Sequence, residues 1–167
     1  MDYRLHGSGK NDLAYYLERQ LFDLGSTAVL LDGSTIRSGL SRELDYSPTD
    51  RAEHLRRVAH MARILNDQGI IAICSFISPV EDIRNQIAEI IGKERFVLVY
   101  MEADVEFCRK NKPELYQLAD AGKAFNIPGV DTVYEPPVEP NIQLSLDESR
   151  LNKELIIDFL KKVSILA

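Results

Sequence analysis

Residues 70–76 read IIAICSF, a near-continuous apolar run with no charge in it. A strand with one wet face alternates polar and apolar residues. A run without alternation is buried on both faces, the condition of a central strand in a parallel sheet. Shorter runs of the same kind occur at Thr27–Leu31 (TAVLL), Phe96–Met101 (FVLVYM) and Ile142–Leu146, and Met1–Leu5 is long enough for one short strand more. Amphipathic stretches lie between them. Leu13, Leu17, Leu21 and Leu24 recur at near-helical spacing up to Gly25, a natural stop. Ser47 is placed to cap a helix, with Pro48 in its first turn and Asp50 at its third position. Leu55, Val58, Ala59, Ala62 and Leu65 form one face of that helix, and Gly69 closes it. Further helices are predicted at 80–91, 104–110, 115–121 and 149–163. Residues 125–140, with Pro136, Pro137 and Pro140 near the end, are predicted to be irregular. Strands separated by helices imply right-handed crossovers: an α/β chain with a five-stranded parallel sheet and helices on both faces. Its 167 residues suit a single domain spanning 1–167. Ligands in such folds bind beyond the carboxyl ends of the strands, which selects residues 6–11, 32–37, 75–84, 102–113 and 123–135.

The formal net charge of −6 argues against a broad grip on nucleic acid. No apolar run approaches the roughly 20 residues needed to cross a bilayer, and the first residues lack the basic start and apolar stretch of a secretory signal. Cys74 and Cys108 fall in segments read as buried strand and helix, as expected of reduced packing residues. A cytoplasmic protein with neither membrane nor nucleic acid as partner is expected.

His6-Gly7-Ser8-Gly9-Lys10 follows a possible strand and opens a helix, the context a phosphate-binding loop requires. Glycines let successive N–H groups turn toward an anion, and the helix N-terminus adds partial positive charge. Lys10 would reach the terminal phosphates. The full pattern G-x-x-x-x-G-K-[ST] asks for glycine at position 4 and a hydroxyl at 11, where this chain has Arg4 and Asn11. A plain glycine-rich turn is the competing reading.

Four further segments resemble the adenylyl sulfate kinases, collinearly from about residue 4 to the C-terminus. Leu30–Arg37 (LLDGSTIR) is similar to that family's LLDGDxxR, and Ser75–Pro79 to its FISP loop, with Arg84 matching the arginine that follows. Ser47–Arg57 (SPTDRAEHLRR) is similar to S-x-x-D-R-x-x-N-[IL]-R-R. Gly129–Glu135, with Pro137 and Pro140, resembles G-[IV]-D-x-x-Y-E-x-P-x-x-P. The resemblance implies a P-loop kinase fold and transfer of the ATP γ-phosphoryl group to the 3′-hydroxyl of adenylyl sulfate, with Mg²⁺. It further implies that Gly7, Ser8, Gly9, Lys10, Asn11 and Asp12 hold the nucleotide, with Lys10 also catalytic. Asp32 would orient or deprotonate the attacking hydroxyl, and Asn11 and Asp32 are weak Mg²⁺ candidates. Arg37 and Arg56 would hold the phosphosulfate, Tyr46 would stack on the adenine, and Ile77, Ser78 and Pro79 would line the substrate pocket. A homodimer and association or fusion with an ATP sulfurylase belong to the same expectation.

The departures fall on polar positions. Ser34 replaces the second aspartate of DGD, and His54 an asparagine. Asn111 and Lys112 stand where Arg-Asp is expected, and Phe125 and Ile127 where a lysine and a phenylalanine are. Two alternatives to an adenylyl sulfate kinase therefore stay open: a catalytically inactive nucleotide-binding regulatory domain, and a P-loop kinase for another small metabolite. Arg57, His54, His60 and Tyr134 read as structural, and Phe107, Phe125 and Phe159 as core residues before ligands.

Overall fold

The computed structural model describes residues 2–3, 8–103, 105–145 and 153–162. In chain order these form β1 (Asp2–Tyr3), α1 (Lys10–Asp23), β2 (Ala28–Asp32), α2 (Gly33–Ser38), α3 (Pro48–Asp67), β3 (Ile71–Phe76) and α4 (Glu81–Ile91). A 3₁₀ turn (Lys93–Arg95), β4 (Val99–Glu102), α5 (Val105–Asn111), α6 (Pro113–Asp120), β5 (Ile142–Ser145) and α7 (Lys153–Lys162) complete them. The strands make one sheet in the order β2-β3-β1-β4-β5, and every pairing is parallel. All strands therefore deliver their carboxyl ends to one edge.

Two apolar layers cover the sheet. On one face Leu13, Leu17 and Leu21 of α1 pack with Ile156 and Leu160 of α7 over Val99, Met101 and Leu144. On the other, Leu55, Val58, Ala59 and Ala62 of α3 pack with Ile87 and Ile91 of α4 over Leu31, Cys74 and Phe76. A smaller cluster of Cys108, Tyr116 and Ile127 lies under α5, α6 and the irregular segment after them. Both cysteines are free and buried, and burial pushes the Cys74 thiol up to about 11. No described helix is long and apolar enough to cross a membrane.

The signals that end the helices are where the spacing puts them. Gly25 and Gly69 take φ of +81 and +75°, a region costly to any residue with a Cβ. The Ser47 hydroxyl accepts from the Asp50 N–H at 3.3 Å, and Pro48 opens the first turn of α3. Several bounds differ from expectation. Leu24 is not a core residue; it follows the last turn of α1 and is 48% exposed. Residues 96–98 are not strand: the Leu98 N–H donates to Asn141 Oδ1 at 2.7 Å, and pairing with β5 begins at Val99. Helix α2 replaces the turn that Asp32-Gly33 predicts, because the Asp32 carboxylate caps it. Leu5, Asp104, Leu146, residues 149–152 and Val163, assigned to predicted elements, lie outside the described residues.

β1 as described spans only the register of Ser75–Phe76 on one side and Val99–Tyr100 on the other. Behind it, between the start of β3 and the approach to β4, lies an apolar hollow of about 290 Å³ whose lining includes Leu17, Leu21, Ala72, Val97 and Leu160.

Candidate active site

A second, polar cavity of about 300 Å³ opens at the carboxyl edge of the sheet, walled by Lys10, Asn11, Asp32, Arg37, Tyr46, Arg51, His54, Ser75, Ile77 and Lys112 among others. The two cavities are alike in size, and their linings set them apart: the first is mostly apolar, whereas this one gathers the charged and hydrogen-bonding side chains at the strand ends.

On one wall stands the start of α1. Gly9 precedes it at φ +80° and, lacking a side chain, makes no capping bond. The N–H dipoles of that turn add partial positive charge at the crevice, and Lys10 is its first residue. Asn11 Oδ1 accepts from Ser75 Oγ at 2.7 Å, which ties the helix to the end of β3. Ser8 is buried; Asp12 is exposed in the first turn and is not on the crevice wall. Gly7, and Arg4 with it, lie outside the described residues.

Facing α1 is Asp32, which ends β2 and caps α2. Its carboxylate accepts from the Ser34 and Thr35 N–H groups at 2.9 and 3.2 Å and from both hydroxyls at 2.5 Å. Burial works against its ionisation, but the Ser34 and Thr35 hydroxyls and the two N–H groups prevail and hold the carboxyl below its usual range. Ser34, where the resemblance leads one to expect a second carboxylate, is thus a donor to the first. The short helix then presents Arg37, whose Nη1 donates to the Leu44 and Asp45 carbonyls at 3.1 and 2.9 Å. Its guanidinium carbon sits 4.4 Å from the centroid of the Tyr46 ring, and that of Arg51 sits 5.9 Å from the same centroid. Tyr46 itself is 51% exposed. A flat ring at the rim beside two cations suits a planar, anionic ligand.

Arg51 and His54 come from the first half of α3; Arg51 is not among the site residues the resemblance implies, whereas His54 takes the place of an asparagine expected near the substrate. Arg51 is 7% exposed, and its Nη2 donates to the Asn126 carbonyl at 2.8 Å. His54 is 3% exposed and meets Phe76 edge-on, with ring centroids 5.3 Å apart. Burial, then the charges of Arg37, Arg51 and Arg57, push its imidazole down to about 4. The signal for both was present. Arg51, Leu55, Val58 and Ala62 stand at i, i+4, i+7 and i+11, so the arginine extends the inward apolar stripe.

Arg56 is not brought to the crevice. It lies on the outer side of α3, where Nε and Nη2 hold both oxygens of Glu53 at 2.7 and 2.9 Å. Arg57 pairs with Glu53 and Glu43. Of the 77–79 loop only Ile77 faces the crevice. Ser78 is fully buried and its carbonyl accepts from Arg84 at 2.7 Å, while the buried Pro79 accepts from the Glu135 N–H at 2.7 Å. Phe125 is no core residue, being 67% exposed, and the side chain of Phe159 lies outside the described set.

Strand ends, a glycine-led helix N-terminus with its lysine, an opposed carboxylate and an arginine pair are what a nucleotide-dependent phosphoryl-transfer protein of the α/β class requires. Comparison narrows the class. The family model described as adenylylsulphate kinase matches residues 4–145, and the chain belongs to that family. It is 37% identical over 165 residues to an adenylyl-sulfate kinase of Staphylococcus carnosus, covering 97% of this chain and 83% of the relative. It is 36% identical over 160 residues to the bifunctional enzyme CysN/CysC of Rhodopirellula baltica, covering 94% of this chain but only 25% of that relative's length. The structure of the Mycobacterium tuberculosis APS kinase CysC in complex with AMPPNP and APS superposes with a TM-score of 0.90 at 34% identity, over 96% of this chain and 95% of that one. The fold is accordingly the α/β P-loop kinase fold.

Proposed function

We propose that this protein transfers the γ-phosphoryl group of ATP to the 3′-hydroxyl of adenylyl sulfate, a step of sulfate activation. The observation that carries this reading is the arrangement around Tyr46. An exposed aromatic plane lies beside Arg37 and Arg51, in one crevice with Lys10 at the head of α1. An adenine with an adjoining phosphosulfate asks for a plane beside cations, and the transferred phosphoryl asks for N–H dipoles and a lysine.

The residues divide the work by chemistry. Ser8, Gly9 and Lys10 hold the ATP phosphates, and Lys10 neutralises charge on the oxygens of the group in flight. Asp32 accepts the 3′-hydroxyl. Its carboxyl is held low by the Ser34 and Thr35 donors, which makes it a poor proton acceptor, so its contribution is to orient the nucleophile. Arg37 and Arg51 bind the phosphosulfate, and Ile77 supports the sugar from the β3 end. Asn11 Oδ1, Ser75 Oγ and the Asp32 carboxylate offer only oxygen, a set that fits Mg²⁺, which takes one or two protein ligands and the rest from phosphate and water. The metal, bound there, would neutralise phosphate charge.

The direct test is ADP release with ATP, Mg²⁺ and adenylyl sulfate. Release that requires adenylyl sulfate, and falls by about 10²–10³-fold in Lys10→Ala, is expected. Nucleotide binding with no adenylyl-sulfate-dependent release, or a Lys10→Ala variant as fast as the parent, would overturn the reading.

A further inference from the structure

The segment Gly129–Glu135 matches the family pattern, yet it contributes no side chain to the crevice wall. Its link to the site runs through the backbone of Asn126. Among the described residues Asn126 is the only one other than glycine with positive φ, at +62°. That conformation is disfavoured for a residue with a Cβ and persists where neighbours enforce it. Here the enforcing group is Asp131: its Oδ2 accepts from the Asn126 N–H at 2.8 Å and its Oδ1 from the Ile127 N–H at 2.5 Å. The side chain of Ile127, 3% exposed, is locked into the cluster with Cys108 and Tyr116, so the peptide is anchored on its far side as well.

The product of this arrangement is the aim of one carbonyl. Asn126 O takes the Nη2 of Arg51 at 2.8 Å, and the other acceptor of that nitrogen, Tyr46 O, is at 3.4 Å. Both of these hydrogen bonds use Nη2, no other hydrogen bond of Arg51 is found among the described residues, and Arg51 lines the crevice. The guanidinium is therefore tethered by one corner with its remaining donors available to a ligand. Arg37, beside the same Tyr46 ring, repels it, while the Asp131 charge attracts it, so Asp131 favours the tethered position directly as well as through Asn126.

We infer that Asp131 is a positioning residue for the anionic acceptor: by holding Asn126 in the left-handed conformation it aims the carbonyl that fixes Arg51, and so sets where the phosphosulfate is gripped. This rests on the proposed function, in which Arg51 binds that group. Asp131 is an exposed surface carboxylate and touches no reacting atom; its effect appears in binding of one substrate alone.

The experiment is calorimetric binding and steady-state kinetics on the whole chain. Asp131→Asn, which cannot accept from both N–H groups, is expected to raise Kd and KM for adenylyl sulfate roughly ten- to a hundredfold while leaving Kd for ATP unchanged. Asn126→Val, whose branched side chain resists positive φ, should do the same by a second route. Asn126→Gly placed in the Asp131→Asn background should recover part of the loss, because glycine enters that region freely. In an Arg51→Ala background Asp131→Asn should add nothing. Equal loss for both substrates, additive losses with Arg51→Ala, or no change in adenylyl sulfate affinity would each overturn the inference. If the unsubstituted protein binds no adenylyl sulfate, the proposed function falls by itself. Asp131 is then judged with inorganic sulfate, whose Arg51-dependent binding must still weaken in Asp131→Asn.

Discussion

His54 shows how a single side chain takes its character from its neighbours. An imidazole free in solution gains its proton near pH 6.5, whereas burial and the charges of Arg37, Arg51 and Arg57 delay this one until about 4. Between those values the unfolded chain binds more protons than the folded one, so folding stability falls as pH drops from 6.5 toward 4. The thermal midpoint should decline across that window, and the decline should be shallower in His54→Asn, which has nothing to titrate there; identical slopes for the two proteins would refute this account. The same residue marks a boundary of what can be read from one-dimensional patterns. Its burial follows from standing one turn before Val58 on the inner stripe of α3. That it also faces a crevice is not in that stripe; it takes the family pattern, or α2 and β3 in place, to show it. Arg51 and Arg56 make the point more sharply. Both are arginines on one helix, five positions and so about 140° apart; the packing of Leu55, Val58 and Ala62 turns the first inward and leaves the second to Glu53.

Elements were legible where a local signal decides them. Ser47, Pro48 and Asp50 announce α3, and Gly25 and Gly69 end their helices, because caps and positive φ are properties of a few adjacent residues. The strand expected at 96–101 starts only at Val99, because a distant side chain, Asn141, takes the Leu98 N–H. The connections between elements were least legible. Arg84, on α4, is 1% exposed, and it binds Glu81, the Ser78 carbonyl and the Glu135 carbonyl at once. The Glu135 carboxylate in turn accepts from the Glu81 N–H at 2.7 Å. This cluster fastens the β3–α4 loop, which carries Ile77, to the end of the irregular segment, which carries Asn126. Removing the cation strands buried acceptors, so Arg84→Met should destabilise the fold by about 3–5 kcal/mol. Chemical denaturation measures it, and a loss under about 1 kcal/mol would mean that the cluster is not what joins these segments.

At the scale of the molecule, the alternation of apolar strands and amphipathic helices carried the class of fold, and the collinear motifs carried the family. Both survive changes in single residues because they are spread over the whole chain. The polar departures could not be weighed the same way. Whether Ser34 for a carboxylate, or Asn11 for a hydroxyl, disables a site depends on what each then touches, and here each finds a neighbour: Asp32 for the first, Ser75 for the second.

The hollow behind β1 lies at the opposite edge of the sheet from this chemistry. Ala72 lines it, and a larger branched residue suits a strand. Ala72→Val should therefore raise the thermal midpoint by about 2–4 °C, the effect of roughly 1 kcal/mol in a chain of this size, with kcat and both KM values unaltered. A lower midpoint would show the space to be taken. If the gain is found, robustness and turnover answer to separate dials in this protein, and a sturdier variant need not be a slower one.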